Sequence, residues 1–332
     1  MRKSTIGIVA VMALAAALAA PPLQAEERLT MRQDWTVYGY HAPFWWAKEK
    51  GYFREQGLDV EIKEGQGSGN TISIVGSGAE QLGFADYSTG MKAVVEGVPI
   101  KAIYGIQQVN QQAIVARSDV GIKEARDLIG KSVGLAPGEG AAAMFPAVMK
   151  VQGININQIK TVSVSTKIRN VSLLEKKVDA IVTYAAGSGM LLDQQLRKQG
   201  LHAVILRYAE LGVNIPSNGI LVNTRYLSSK PQAVRSFTRA LQRAWQDAVR
   251  DPKEMVAIIP KLLPQYAGRD ALHLAQIQDV INGLYTPNTK GKPLGWMSEK
   301  DWETAQKWMV EYGGLKATLP VAQYFTNEFI PQ

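Results

Sequence analysis

The chain has 332 residues, no cysteine, and 46% hydrophobic against 20% charged residues, the proportions of an ordinary globular protein. Disulfides, thiol nucleophiles, thiolate metal sites and a lipid-bearing cysteine are thereby excluded. The net charge of +8 comes from basic residues scattered among acidic ones, as in Lys48-Glu49-Lys50 and Glu124-Ala125-Arg126-Asp127, so a solvated surface is expected and no nucleic-acid partner.

Arg2 and Lys3 open the chain, Ile6 to Ala20 is almost wholly apolar, and Pro21 and Pro22 break that run before Leu23-Gln24-Ala25. A basic start, an apolar stretch too short to span a bilayer and a small-residue end read as a signal peptide, residues 1–25, cleaved near Ala25. The remaining residues, 26–332, exceed what one core usually organises, and two lobes are expected.

From there short apolar runs alternate with helical ones, the pattern of an α/β protein. Leu29 to Trp35 reads as a strand, Ala42 to Gln56 as a helix ended by Gly57, and Leu58 to Lys63 as a strand with Leu58, Val60 and Ile62 alternating with charges. Helices at Thr71 to Ser77 and Gly90 to Glu96 separate strands at Gln81 to Ala85 and Ile100 to Ile106, and Gln111 to Arg117 follows. A second series begins near Ala125: strands at Ser132 to Leu135, Ile159 to Val164, Ala180 to Thr183 and Ala203 to Tyr208 are separated by helices at Ala141 to Gln152, Val171 to Lys177 and Gly189 to Gln199. The pattern restarts at Ile220 to Asn223. In Gln232 to Arg250, Val234, Phe237, Leu241, Ala244, Trp245 and Ala248 recur at helical spacing and mark one buried face.

This order predicts an α/β protein of two lobes with doubly wound sheets, residues 26–117 plus 218–332 forming one lobe and 118–217 the other. The crossings, near Arg117 to Gly121 and Val213 to Ser217, would be the hinge, with Asn214, Ser217 and Asn218 in it. Open α/β sheets bind ligands at the carboxyl ends of their strands, so two facing lobes place a cleft there.

The most specific stretch runs Gln33-Asp34-Trp35, His41-Ala42-Pro43-Phe44-Trp45-Trp46-Ala47, then Glu49-Lys50-Gly51-Tyr52-Phe53-Arg54-Glu55-Gln56-Gly57-Leu58-Asp59-Val60-Glu61. A second block is Val75-Gly76-Ser77-Gly78-Ala79-Glu80-Gln81-Leu82-Gly83-Phe84-Ala85-Asp86. On these residues the chain resembles the NMT1/THI5-like proteins from about residue 30 to about 250, whose sister groups include taurine, alkanesulfonate and nitrate binders. The resemblance implies a two-lobed, periplasmic-binding-protein-like (type 2) fold, a periplasmic location, and an ABC permease and its ATPase as partners of a monomeric, non-enzymatic solute binder without cofactor or metal. It also implies that His41 matches a histidine of the pyrimidine-synthase relatives. Those enzymes carry a cysteine-rich segment, which this chain lacks, and a catalytic reading is disfavoured accordingly.

Candidate ligand contacts follow from position. Trp35 ends a strand at the cleft mouth, with Tyr38 and Tyr40 on the loop beyond it, where flat faces stack on planar ligands. Phe44, Trp45 and Trp46 belong to a helix packed on the sheet. His41 has a ligand or the loop backbone to bond. Gly67, Ser68 and Asn70, then Tyr87 and Ser88, then Gly138 and Glu139 sit at helix starts, whose free N–H groups hold anions or carbonyl oxygens. Asp86 either caps its helix or favours a ligand with N–H donors. Gln107 and, from the second lobe, Thr183 and Tyr184 complete the candidates. With aromatics, Asp86 and no obvious arginine at these segments, the ligand expected is a planar heterocycle or aromatic, foremost a pyrimidine precursor of thiamine. The alternatives are an anion (a sulfonate, nitrate or aromatic carboxylate) reached by Arg169 or Arg117, and a receptor that reports its bound state to a sensor.

Overall fold

Ten strands build two five-stranded sheets in the computed structural model, which describes residues 26–332; the expected signal peptide lies outside the described residues. In chain order the strands are β1 (Glu27–Arg32), β2 (Leu58–Lys63), β3 (Leu82–Asp86), β4 (Ile100–Gln107), β5 (Gln112–Arg117), β6 (Ser132–Leu135), β7 (Lys160–Ser163), β8 (Ala180–Tyr184), β9 (Ala203–Arg207) and β10 (Asn218–Asn223). The first sheet has the order β2-β1-β3-β10-β4 and the second β7-β6-β8-β5-β9. In each, parallel strands on one side meet an antiparallel strand: β10 lies between β3 and β4, and β5 between β8 and β9.

The sheet positions explain the residue patterns. Edge strand β2 buries Leu58, Val60 and Ile62 and exposes Asp59 and Glu61. The inner strands β3, β5 and β10 are buried at every position and read as continuous runs. At Gly83 of β3 an added Cβ would come within 2.7 Å of Thr71 Cγ2, so glycine there lets the helix Ser68–Ser77 lie close on the sheet. The helix Pro231–Arg250 buries the six residues that its periodicity selects, and its Phe237 stacks on Phe53 with centroids 5.2 Å apart.

Three expected bounds change. The single helix expected over Ala42 to Gln56 breaks at Gly51, whose φ of +76° starts a second short helix, Tyr52–Glu55. β1 ends at Arg32, so Trp35 sits on a bend three residues beyond the sheet. The largest change concerns β5, expected in the first lobe. Its ladders run to β8 and β9, so the chain leaves the first sheet between Gln107 and Gln112, not at Arg117 to Gly121. Pairing on both flanks decides this, and nothing in the strand's own residues announces it. The return crossing lies between Arg207 and Asn218. The two crossings are tied together where Asn110 N–H donates to Asn214 Oδ1 (3.0 Å) and Asn110 Nδ2 to the Val213 carbonyl (2.8 Å).

Candidate functional site

The segments that follow β1 and β2 face those that follow β6, β7 and β8 across a narrow cavity. From the first sheet come Asp34, Trp35, Tyr38, Tyr40, Gly67 and Ser68, and from the second Glu139, Arg169, Tyr184, Gly187 and Ser188. The free space is about 20 Å³, room for about one water molecule.

The first wall is assembled by a chain of hydrogen bonds around His41, which is fully buried. Its Nδ1 accepts from the Tyr38 backbone N–H at 3.0 Å, which requires a lone pair on that nitrogen, so Nε2 carries the proton and donates to Asp34 Oδ1 at 2.8 Å. Asn218 Nδ2 donates to the other oxygen of Asp34 at 3.1 Å. Both ring nitrogens of His41 are thus taken up by the protein. Of its two expected partners the loop backbone holds it, and it acts by setting Asp34 and the Tyr38 loop. Gln276 fixes the same loop, accepting from Gly39 N–H at 2.8 Å, and its amide donates across to the Gly187 carbonyl at 3.3 Å. Tyr40 packs between His41 and Phe84, with centroids 4.4 and 6.2 Å away. The Tyr38 hydroxyl meets Ser188 Oγ on the far wall at 3.1 Å. Burial raises both tyrosines above their ordinary pKa, so they remain neutral donors.

The second wall is less satisfied. Arg169 pairs with Glu139 through Nη1, while its Nε has no partner in the protein. Burial pushes the Glu139 carboxyl up, against the pull of Arg169. The Tyr184 and Thr183 hydroxyls, Asn170 Oδ1 and Gln112 Oε1 are likewise buried without partners. Of these, Arg169 and Tyr184 line the cavity; in the first lobe Gln33, beside Asp34, also has both amide atoms buried without partners. Unpaired buried polar atoms are few in native proteins, so those that face the cavity point to an external partner.

Asp86 lies between the walls. It accepts from Thr89 N–H at 2.8 Å and Thr89 Oγ1 at 3.0 Å, and from Gln112 Nε2 across the lobes at 3.1 Å. A Cβ on Gly140 would stand 2.1 Å from Asp86 Oδ1, so only glycine lets the second lobe close here. Burial lifts the carboxyl to a pKa of about 6.

A profile of the NMT1/THI5 like family matches residues 39–255. The chain belongs to this family. Among relatives, the riboflavin-binding protein RibY of Chloroflexus aurantiacus is 26% identical, covering 96% of this chain and 91% of its own. The 4-amino-5-hydroxymethyl-2-methylpyrimidine phosphate synthase THI11 of Saccharomyces cerevisiae is also 26% identical, covering 71% of this chain and 72% of its own. Of solved structures, the alkanesulfonate-binding protein SsuA from Xanthomonas axonopodis pv. citri superposes with a TM-score of 0.68 at 16% identity, covering 91% of this chain and 98% of its own. The nitrate-binding protein NrtA from Synechocystis gives 0.63 at 15%, covering 91% and 86%. A Candida albicans protein described as having the generic periplasmic binding protein fold gives 0.67 at 15%, covering 90% and 96%. The fold is that of the periplasmic binding proteins.

Within this NMT1/THI5 like chain the expected site residues separate into three groups. Trp35, Tyr38, Gly67, Ser68, Glu139 and Tyr184 line the inner cavity, and Ser88, Gly138 and Glu139 line an adjoining groove. Asp86 and Thr183 stand buried beside these spaces, Asp86 acting as the helix cap that was one of its two readings. Tyr87, Asn70 and Gln107 are corrections. Tyr87 points into the first core, donating to the Tyr104 carbonyl at 2.8 Å and packing on Trp302. It follows Asp86 by one residue, and the first step of a helix turns consecutive side chains to different faces. Asn70, in the first turn of the helix Ser68–Ser77, is exposed and lines neither space. Gln107 ends β4 at the crossing, where its carbonyl accepts from Ser217 N–H at 2.8 Å, and it too lines neither space.

Asp34, Gly187 and Ser188 were not expected at the cleft, and Arg169 was expected there only under the anion alternative, whereas all four line it. Arg117 is not; its guanidinium is held by Asp119 and the Leu174 carbonyl at the other end of β5. A π-helical turn, Ala185–Gly189, carries Gly187 and Ser188, and such turns concentrate at functional sites. Trp46 and Phe44 are buried in the core and Trp45 is half-buried against it.

Proposed function

We propose that this chain is the ligand-capturing component of an ABC importer in the periplasm, and that it closes its lobes on a planar nitrogen heterocycle of the pyrimidine or flavin type. The observation that carries this reading is the contrast within the inner cavity. Aromatic faces at Trp35, Tyr38, Tyr40 and Tyr184 surround it, and the second wall offers buried polar atoms without partners. The carboxylates of Asp34 and Glu139 outnumber the one guanidinium of Arg169, which disfavours a sulfonate or nitrate in the inner cavity.

With room for only about one water, the cavity admits an organic ligand when the lobes part at the crossings 108–111 and 208–217. Ligand that bridges both walls then stabilises the closed form by its differential affinity, the step an importer needs before docking on its permease. The relatives' names agree in kind: one binds riboflavin, and others are named for a pyrimidine phosphate.

Titration calorimetry with riboflavin, 4-amino-5-hydroxymethyl-2-methylpyrimidine, taurine and nitrate tests the reading. Micromolar or tighter binding of a heterocycle is expected, weakened about tenfold or more by Trp35→Ala without unfolding. Heat on taurine or nitrate alone sinks it. Turnover of a pyrimidine precursor by the purified chain would instead favour the synthase reading that the yeast relative suggests.

A further inference from the structure

Two polar contacts join the lobes from a single helix, Asp270–Asn282, whose Ile277 and Val280 are buried in the first lobe's core. Gln276 is fully buried and uses both ends of its amide. Its Oε1 accepts from Gly39 N–H at 2.8 Å, on the loop that carries Tyr38, and its Nε2 donates to the Gly187 carbonyl at 3.3 Å, on the π-helical turn of the second lobe. One turn later Asp279 accepts from both Nη atoms of Arg207, at 2.7 and 3.2 Å, where β9 ends. The side chains of that pair are only 22% and 21% exposed, so a two-point, charge-assisted contact is partly shielded from water. Just past the helix, the Gly283 carbonyl accepts from Gln108 N–H at 3.0 Å and Val109 N–H at 3.2 Å in the first crossing. At the other end, a Cβ on Gly39 would stand 1.8 Å from the His273 carbonyl oxygen, so glycine lets the Tyr38 loop lie directly on this helix. The helix thus runs from the ligand loop to the crossings and grips the second lobe on the way.

We propose that Gln276 and Asp279 form a clamp that sets how far the lobes rest toward closure, and that Gln276 ties closure to the placing of the Tyr38 loop. Neither residue lines the inner cavity or the groove beside it. Their contacts join protein to protein, so they favour the closed form by the same factor for every ligand, and apparent affinity follows the fraction of chain that is competent to bind. The inference rests on the lobe-closure reading above and is independent of which ligand is captured.

The chain has no cysteine, so spin labels go only where they are introduced, at Asn70→Cys in the first lobe and Lys167→Cys in the second, both exposed. Distances between the labels in the full mature chain without ligand report the open-to-closed ratio. Gln276→Met raises that ratio about tenfold, and Arg207→Met and Asp279→Asn raise it about fivefold each. Exchanging the charges, Arg207→Asp with Asp279→Arg, returns it toward the parent value, and Gln278→Ala, exposed on the same helix, leaves it unchanged. Riboflavin or 4-amino-5-hydroxymethyl-2-methylpyrimidine then draws the opened variants back to the short distance. If Arg207→Met and Asp279→Asn leave the ratio unmoved while ligand still shifts it, or if the charge exchange opens the lobes as far as either single variant, the clamp is overturned and the capture reading stands. If the variants open and neither heterocycle closes them, the clamp holds and the heterocycle reading falls. One unchanging distance in every variant and with every ligand removes both.

Discussion

The two walls of the inner cavity differ in how completely the protein itself satisfies them. On the first, Asp34, His41 and the Tyr38 loop are locked by Asn218 and Gln276, and Ser68 Oγ accepts from Asp86 N–H at 3.0 Å. On the second, Arg169 Nε and the Tyr184 hydroxyl lack partners. A satisfied network holds its shape without ligand, whereas unpaired buried groups gain most when one arrives. The first wall therefore acts as a pre-organised seat, and the second supplies the gain that makes closure depend on what is bound.

The strongest break of that contrast is at Arg169. Arg169→Met leaves Glu139 buried and unpaired, and urea unfolding shows a loss of about 3–5 kcal/mol. Glu139→Gln in the same chain recovers most of it; if the double variant is as unstable as the single one, the pair is not what holds that wall.

Asp86, between the walls, gives the next effect. Its carboxyl releases a proton near the ordinary 3.8 in the unfolded chain and near about 6 in the folded one. The folded state thus keeps the proton longer, so Asp86 helps stability most below about 4, and that contribution is lost as pH rises through 6. Relative to Asp86→Asn, the wild-type chain loses up to about 3 kcal/mol of unfolding free energy between about pH 4 and 7. A flat difference across that window removes burial as the dominant influence on Asp86.

The finest test sets one wall against the other. Asp34→Asn lowers unfolding stability by about 1–3 kcal/mol, because His41 and Asn218 lose their charged acceptor. Tyr184→Phe leaves stability within about 0.5 kcal/mol but weakens the heterocycle about tenfold by calorimetry. The reverse pattern would exchange the roles of the walls.

Much of this arrangement was legible before any coordinates. Leu58, Val60 and Ile62 alternate because β2 is an edge strand with one face in the core. Trp35, Tyr38, Gly67 and Tyr184 were nameable because strand ends in α/β sheets are where ligands sit. Arg169 was nameable only as one of two arginines an anion would call on, since a lone arginine on a helix carries no motif; its place on the wall is decided by Glu139, thirty positions earlier, which pairs with it. Tyr87 was misplaced for the opposite reason: a polar tip beside Asp86 suits a cleft, yet the helix turns it toward Trp302.

What the sequence determined by itself is therefore local and periodic: the α/β alternation, the family blocks around Lys50-Gly51-Tyr52-Phe53 and Ser77-Gly78-Ala79, and the buried face of Pro231–Arg250. What only the tertiary structure decided is pairing at a distance. β5 joined the second sheet through ladders to residues some seventy to ninety positions away, and His41 had both nitrogens claimed by Asp34 and Tyr38. The physical reason is that periodicity reports which side of an element meets the core, while sheet membership and polar satisfaction depend on which other element arrives there.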